Sequence, residues 1–294
     1  TATTPVSHKG DHTLRAHWTA QQFTVSFNYD GGEYVATEGY EGDGKTKVVT
    51  FDETFGVLPM AAKTGMKFLG WYDVDDKLID ESKLVKILEN ITVKAKYENI
   101  YYSLVIELNG GKYGDLEQVQ SFTGVYGQTI DILAPTKTGY NFAKYENRLG
   151  IGSIEKDGDI YRFTFGADDS TLYAIWDAMD IRVTFHAQQG ELFGSNTAIS
   201  DDKKTGTREY KFGDKFNVVS EMPSARLDGY RFLGWFTEPD GGFQMTNERE
   251  ITIPTNFDLY AQFEPFLYVL TIDPQGGVFN DSQHTYDFEN KQVG

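Results

Sequence analysis

The chain is 294 residues long, has no cysteine, carries a formal net charge of −17 and is 15 % aromatic. The lack of cysteine removes disulfides, thiolate metal sites and thiol nucleophiles, and 44 acids against 27 bases oppose nucleic-acid binding, which needs clustered Lys and Arg on the phosphates. No apolar run approaches the roughly 20 residues of a membrane span, and residues 1–10 lack the charged and apolar regions of a signal peptide.

In chain order the sequence reads as short strands separated by turns. Residues 13–18 read as a strand ending in Trp18. Residues 23–27 alternate apolar and polar and run into the turn Asp30-Gly31-Gly32, and a glycine-rich loop at 39–46 precedes a strand at 47–51. Residues 65–72 carry Phe68, Gly70 and Trp71. Residues 80–88, with acids at their start, are the one good helical segment. A strand at 92–97 closes on Tyr97. The series then repeats: a strand at 104–106 into Asn109-Gly110-Gly111, an aromatic segment with Phe142, Lys144 and Tyr145, the turn pair Asp157-Gly158 before a strand at 160–165, and a closing strand at 171–176 ending in Trp176. It repeats again: 181–185 into Gln189-Gly190, a segment with Phe232, Gly234 and Trp235, the pair Asp240-Gly241, an extended stretch at 248–254, and a strand at 258–263 ending in Phe263. A fourth opening, 267–272 into Gln275-Gly276-Gly277, follows.

The closing aromatics Trp18, Tyr97, Trp176 and Phe263 set a period of roughly 80 residues, the mark of an array. The chain divides into the end of a preceding repeat (1–20), three repeats (21–100, 101–180, 181–266) and the start of a further one (267–294). All four tryptophans fall on two repeat positions. A large aromatic buries about 150–250 Å², and a unit this small must place such residues at fixed interior sites. The expected repeat core is therefore Trp18, Phe68, Trp71, Tyr97, Phe142, Tyr145, Trp176, Phe232, Trp235 and Phe263. Gly31, Gly32, Gly110, Gly111, Gly190, Gly276 and Gly277 are the expected turn glycines, and in the hairpin-type pairs Asp30-Gly31, Asn109-Gly110, Asp157-Gly158 and Asp240-Gly241 the glycine is expected to take the positive φ of a tight turn.

The order of these pieces, an aromatic strand, Asp-Gly-Gly, a Tyr-Gly-Asp-like strand, a Gly-Tyr-x-Phe-x-Gly-Trp-Tyr segment and a Leu-Tyr-Ala-x-Trp strand, resembles the Listeria-Bacteroides repeat, the B-repeat of internalin-like surface proteins. The matching positions include Val125, Tyr126, Gly127 and Gln128, the run from Pro135 to Tyr140, and Lys211, Phe212, Gly213 and Asp214. The resemblance implies a mainly β (α+β) chain: tandem small β-grasp-like modules, at most one short helix each, in an elongated array. Repeat two departs by having Lys144-Tyr145 where the Gly-Trp pair belongs, and repeat one has Asp52-Glu53 where Gly-Asp is usual. The family offers no catalytic residues to carry over.

Residues 39–46 fit the phosphate-loop spacing G-x-x-x-x-G-K-T through Gly39, Gly44, Lys45 and Thr46. A phosphate loop opens a helix whose N-terminus holds the anion, whereas a strand follows here, and Glu38, Glu41 and Asp43 surround the loop with negative charge. The stretch therefore reads as a hairpin loop. The histidines His8, His12, His17, His186 and His284 have no zinc-ligand spacing. The acids at Asp73, Asp75 and Asp76 fail the calcium-loop template, which needs glycine where Leu78 stands. Catalytic residues, cofactors and metals are thus all read as none. The expected function is a non-enzymatic extracellular stalk or spacer, and adhesion surface, of a bacterial cell-surface protein, with any export signal or anchor in flanking sequence. A multivalent protein- or glycan-binding module and an accessory region of a large secreted enzyme are the alternatives. Partners on this reading are a host or matrix protein or a glycan, with no nucleic acid, no membrane insertion within the segment, and a monomeric chain.

Overall fold

The computed structural model describes residues 9–11, 13, 15–158, 160–269 and 275. All regular structure among them is β. The first unit contains β1 (Gln22–Asn28), β2 (Glu33–Val35), β3 (Thr46–Thr50), β4 (Met60–Ala62), β5 (Met66–Tyr72), β6 (Leu78–Ile79) and β7 (Ile91–Asn99). The second contains β8 (Tyr101–Glu107), β9 (Gln120–Val125), β10 (Thr129–Leu133), β11 (Tyr140–Leu149), β12 (Ser153–Asp157), β13 (Ile160–Thr164) and β14 (Ser170–Ala178). The third contains β15 (Asp180–His186), β16 (Glu191–Phe193), β17 (Ala198–Ile199), β18 (Thr205–Lys211), β19 (Ser224–Arg226), β20 (Tyr230–Phe236), β21 (Gln244–Met245) and β22 (Phe257–Pro265).

One four-strand motif recurs. The opening strand lies beside the closing strand in parallel, as β1 beside β7, β8 beside β14 and β15 beside β22. An antiparallel strand flanks the pair on each side, giving β3-β1-β7-β5, β9-β8-β14-β11 and β18-β15-β22-β20. Alternation along the opening strands decides which face is buried. Val25, Leu104 and Val183 occupy one register position and are fully buried, as are Ile106 and Phe185 two residues on. Three separate cores result, one per unit, centred on Trp71, on Phe163 with Tyr145, and on Phe185 with Trp235.

Three expectations are corrected. Residues 80–88 form no helix: Val85 exchanges backbone hydrogen bonds with Asp52 and Glu53, and Lys83 and Glu81 accept from Phe55 and Gly56. A helix would align Leu84 and Leu88 on one face, yet Leu88 is 79 % exposed while Val85 is wholly buried. The same register in the third unit is extended, with Ile251 buried and bonded to Gly213 and Asp214. Next, Asp30-Gly31 and Asn109-Gly110 do not close hairpins. They turn the chain out of the main sheet; β2 then pairs with β4 in a small two-stranded sheet. Asp157-Gly158 does join a hairpin, β12 to β13. Third, residues 13–18 form no strand among the described residues, and Trp18 is 91 % exposed. Its counterparts Tyr97, Trp176 and Phe263 are covered by the opening strand and turn of their own unit, and no described strand precedes Trp18.

Candidate functional site

The residues singled out by sequence gather at three recurring places: the aromatic anchor on the β5-type strand, the turn after the opening strand, and the joint between units. At the anchor, Trp71 Nε1 donates to Pro59 O at 2.7 Å and Trp235 Nε1 to Pro223 O at 2.7 Å. Tyr145, which replaces tryptophan in repeat two, donates its hydroxyl to Leu133 O at 2.7 Å. In all three cases the acceptor lies 12 residues upstream. The replacement therefore keeps the bond that ties this strand to the preceding segment, and burial pushes the Tyr145 hydroxyl well above the ordinary tyrosine pKa. Phe68, Phe142 and Phe232 sit half-buried beside the anchors, with ring centroids 5.5, 4.8 and 5.5 Å away.

At the turn, Asp30 and Asn109 take φ of 49° and 50°, followed by Gly31 and Gly110 at 81° each, the left-handed pair that a glycine-bearing primed turn uses. The next glycine serves contact. A Cβ on Gly32 would lie 2.2 Å from the Tyr97 hydroxyl, one on Gly111 2.4 Å from the Trp176 ring, and one on Gly190 2.7 Å from the Phe263 ring. Tyr97 and Trp176 each donate to the carbonyl ahead of the turn, on Tyr29 and Leu108. A lysine caps the turn carbonyl: Lys63 on Asp30 O at 2.8 Å and Lys137 on Asn109 O at 2.9 Å. In the third unit Phe263 has no donor, and Lys204 bonds both Gln189 O and Gly190 O from another loop. Gly276 and Gly277 lie outside the described residues; Gln275 has φ of 51°, like Asp30, Asn109 and Gln188.

At the joints, the linker amides of Ile100, Met179 and Phe266 donate to the carbonyls of Gly65, Gly139 and Gly229 at 3.0, 3.0 and 2.9 Å. These glycines have φ of 74°, 78° and 83°. An aromatic of the following unit covers the first two. A Cβ on Gly65 would lie 2.2 Å from Tyr126 Cβ, and one on Gly139 2.3 Å from the Phe212 ring, which also meets Tyr140 edge-on at 5.5 Å. Sequence reading found Tyr126 and Phe212 as motif letters but not as joint residues. The signal was their pairing with Gly65 and Gly139, which only the fold brings together.

Among the described residues, the titratable groups singled out by sequence are held in local turns and pairs. Around residues 39–46, Asp43 Oδ1 accepts the Lys45 amide, and Tyr29 and Tyr40 donate to the carbonyls of Gly44 and Thr46. An amide that would face a phosphate is taken by a carboxylate, and the strand β3 follows. Among the described residues no three His, Asp or Glu side chains cluster to hold a metal. His186 pairs with Asp258 at 3.4 Å and stacks on Tyr260; His17 is exposed, and His8, His12 and His284 are not described. Asp73 Oδ1 accepts the amides of Asp75 and Lys77, a self-contained turn. Arg208 is 5 % exposed and bonds the carbonyls of Ser195, Asn196, Ser220 and Glu221 along with Thr197 and Tyr210. Lys47 and Phe122 hold its register position in the other units, and Lys47 bonds Val57 O while burial lowers its pKa.

The model of the Listeria-Bacteroides repeat domain matches residues 23–96 and 182–262, the first and third units. The chain is 29 % identical over 235 residues to a protein of Evansella cellulosilytica named "Putative membrane protein", covering 78 % of this chain and 31 % of that one. It is 26 % identical over 274 residues to another from the same organism, named "Putative Gly-rich membrane protein", covering 90 % of this chain and 27 % of that one. The chain thus spans less than a third of either relative's length. With the family model matching more than half of its residues, the chain belongs to the Listeria-Bacteroides repeat family.

Proposed function

We propose that this chain is a non-enzymatic, surface-associated repeat segment of a bacterial envelope protein, which spaces and presents what the rest of the protein carries. The observation that supports this reading is the recurrence of the joint: the same amide-to-glycine bond at Ile100, Met179 and Phe266. A joint rebuilt at each period, across linkers too short to swing, sets a repeated step between units, and an array then gains length in proportion to its repeats. The relatives' names place them in a membrane setting, and the region that matches this chain is under a third of each. On this reading the chain is monomeric, takes no cofactor and lies outside the cell.

Small-angle scattering on the purified chain tests the proposal. A compact chain of this length has a radius of gyration of about 19 Å. A spacer gives a clearly larger value that calcium and nucleotide leave unchanged. A value near the compact one, or contraction on adding either ligand, overturns it.

A further inference from the structure

The sequence contains one Asn-Gly pair, Asn109-Gly110, and the fold sets it in the exposed turn after β8. Asn-Gly is the dipeptide most open to deamidation, because glycine carries no side chain to hinder attack of its main-chain nitrogen on the asparagine carboxamide. Closing that five-membered ring needs the Gly110 nitrogen and the Asn109 Cβ on the same side of the Asn109 Cα–C bond. In the left-handed conformation, with ψ of about +47°, the two lie on opposite sides. Asn109 is left-handed, at φ of 50°, and Gly110 follows at 81°. Three bonds hold the turn in place. The Gly111 amide donates to Leu108 O at 3.0 Å, Lys137 Nζ to Asn109 O at 2.9 Å, and Asn109 Nδ2 to Ala174 O at 2.8 Å. Rotating the Asn109-Gly110 peptide into position for attack breaks the first two.

We propose that Asn109 is a deamidation site which the closed turn protects and an open turn exposes. When the turn opens, the Gly110 nitrogen gives up its proton to solvent and attacks Asn109 Cγ. The bond from Cγ to Nδ2 breaks, ammonia leaves and a succinimide remains. Water then opens the ring at either carbonyl, leaving aspartate or isoaspartate. The sum is one water taken up and one ammonia released, with no oxidant or cofactor. Neither product refits the turn. Isoaspartate adds a methylene to the main chain ahead of Gly111, where a Cβ would already lie 2.4 Å from the Trp176 ring. Aspartate turns a carboxylate oxygen toward Ala174 O in place of the donating Nδ2. The first unit carries an acid at this position with a cation to hold it: Asp30, at φ of 49°, pairs with Lys94 at 3.0 Å. Lys94 lies across from Asn28, two residues ahead of Asp30, and Tyr173 holds the same place across from Glu107 in the second unit. In the third unit Gln188 has the longer side chain and is followed by Gln189. Of the three units, the second alone carries an amide next to glycine here, so one opening event marks it permanently.

The inference stands apart from the spacer reading, and its test does not use shape. The full chain is held at mildly alkaline pH, folded in buffer or unfolded in guanidinium chloride. Peptide mapping by mass spectrometry follows conversion at Asn109, and an isoaspartyl methyltransferase counts the isoaspartate formed. Conversion is expected to be about tenfold or more slower in the folded chain, since it waits on opening of the turn. After refolding, the aged chain is expected to exchange amide hydrogens faster across residues 101–180 and unchanged across 181–266. Asn109→Gln is the control, because Gln188 takes φ of 55° at the same place; aged and refolded in the same way, it is expected to keep the exchange of its unaged form. Equal conversion rates in the folded and unfolded chains overturn the proposal. So does an aged chain whose second unit exchanges as before, or an equal loss of protection in Asn109→Gln, since the damage would then lie elsewhere.

Discussion

Arg208 is a cation with no carboxylate among its described partners; four main-chain carbonyls surround it instead. Those carbonyls belong to the 195–197 and 220–221 loops, so the guanidinium fastens two segments that have no ladder to hold them. Replacing it with methionine keeps much of the volume and strands the carbonyls. We expect Arg208→Met to destabilise the third unit by about 2–4 kcal/mol, measured as a lowered urea midpoint. At the aromatic anchors the change is subtler: Tyr145→Phe retains the ring and loses the bond to Leu133 O, an expected cost of about 1–2 kcal/mol in the same assay. The sequence marked Tyr145 as the place where repeat two breaks the pattern. Its continuity with Trp71 and Trp235 was illegible because an indole N–H and a phenol O–H share no letter code, although both reach a carbonyl at the same offset.

Among the elements, the opening and closing strands of the three units were readable in position, because period-two alternation with buried Val, Leu and Phe leaves little choice of face, whereas the closing strand read at 13–18 does not form among the described residues. The failures fell where pairing partners decide. Residues 80–88 contain good helix formers, but residues 52–56 engage the Val85 amide and the carbonyls of Glu81, Lys83 and Val85, and tertiary context overrode propensity. The joints were illegible for a related reason, since a glycine and an aromatic more than 60 residues apart in sequence carry no local signature. They are testable as elements. Phe212→Ala removes a half-buried ring from the joint, with an expected loss of about 1–2 kcal/mol of coupling between the second and third units. Calorimetry is expected to show their unfolding transitions drawing apart. Gly139→Ala adds a Cβ into the Phe212 ring at positive φ and is expected to act in the same direction. Unchanged transitions in both variants would mean that the joint carries no coupling energy.

For the molecule as a whole, alkaline pH is the lever the structure exposes. Burial raises the hydroxyls of Tyr29 (to about 12), Tyr40, Tyr97, Tyr145 and Tyr210 above the ordinary 10.0. A raised folded-state value contributes stability that is complete below pH 10. It is lost as pH climbs through the folded values, because the unfolded chain sheds protons that the folded chain keeps. Lys47 acts with the opposite sign, since burial lowers its value, but it is one group against five. The melting temperature is expected to fall steeply between about pH 10 and 12, with tyrosinate absorbance rising alongside unfolding and not before it. Early tyrosinate signal without unfolding would show these hydroxyls to be accessible.

The joint glycine and the aromatic that covers it belong to different units yet hold one phase of the period, Gly65 with Tyr126 and Gly139 with Phe212, so any two units that carry both parts can meet in the same joint. Loss or duplication of one whole period in the gene rejoins a glycine to an aromatic at the new seam. Reach then becomes a property that recombination between neighbouring copies adjusts in whole steps, and each shorter or longer descendant inherits joints that already fit.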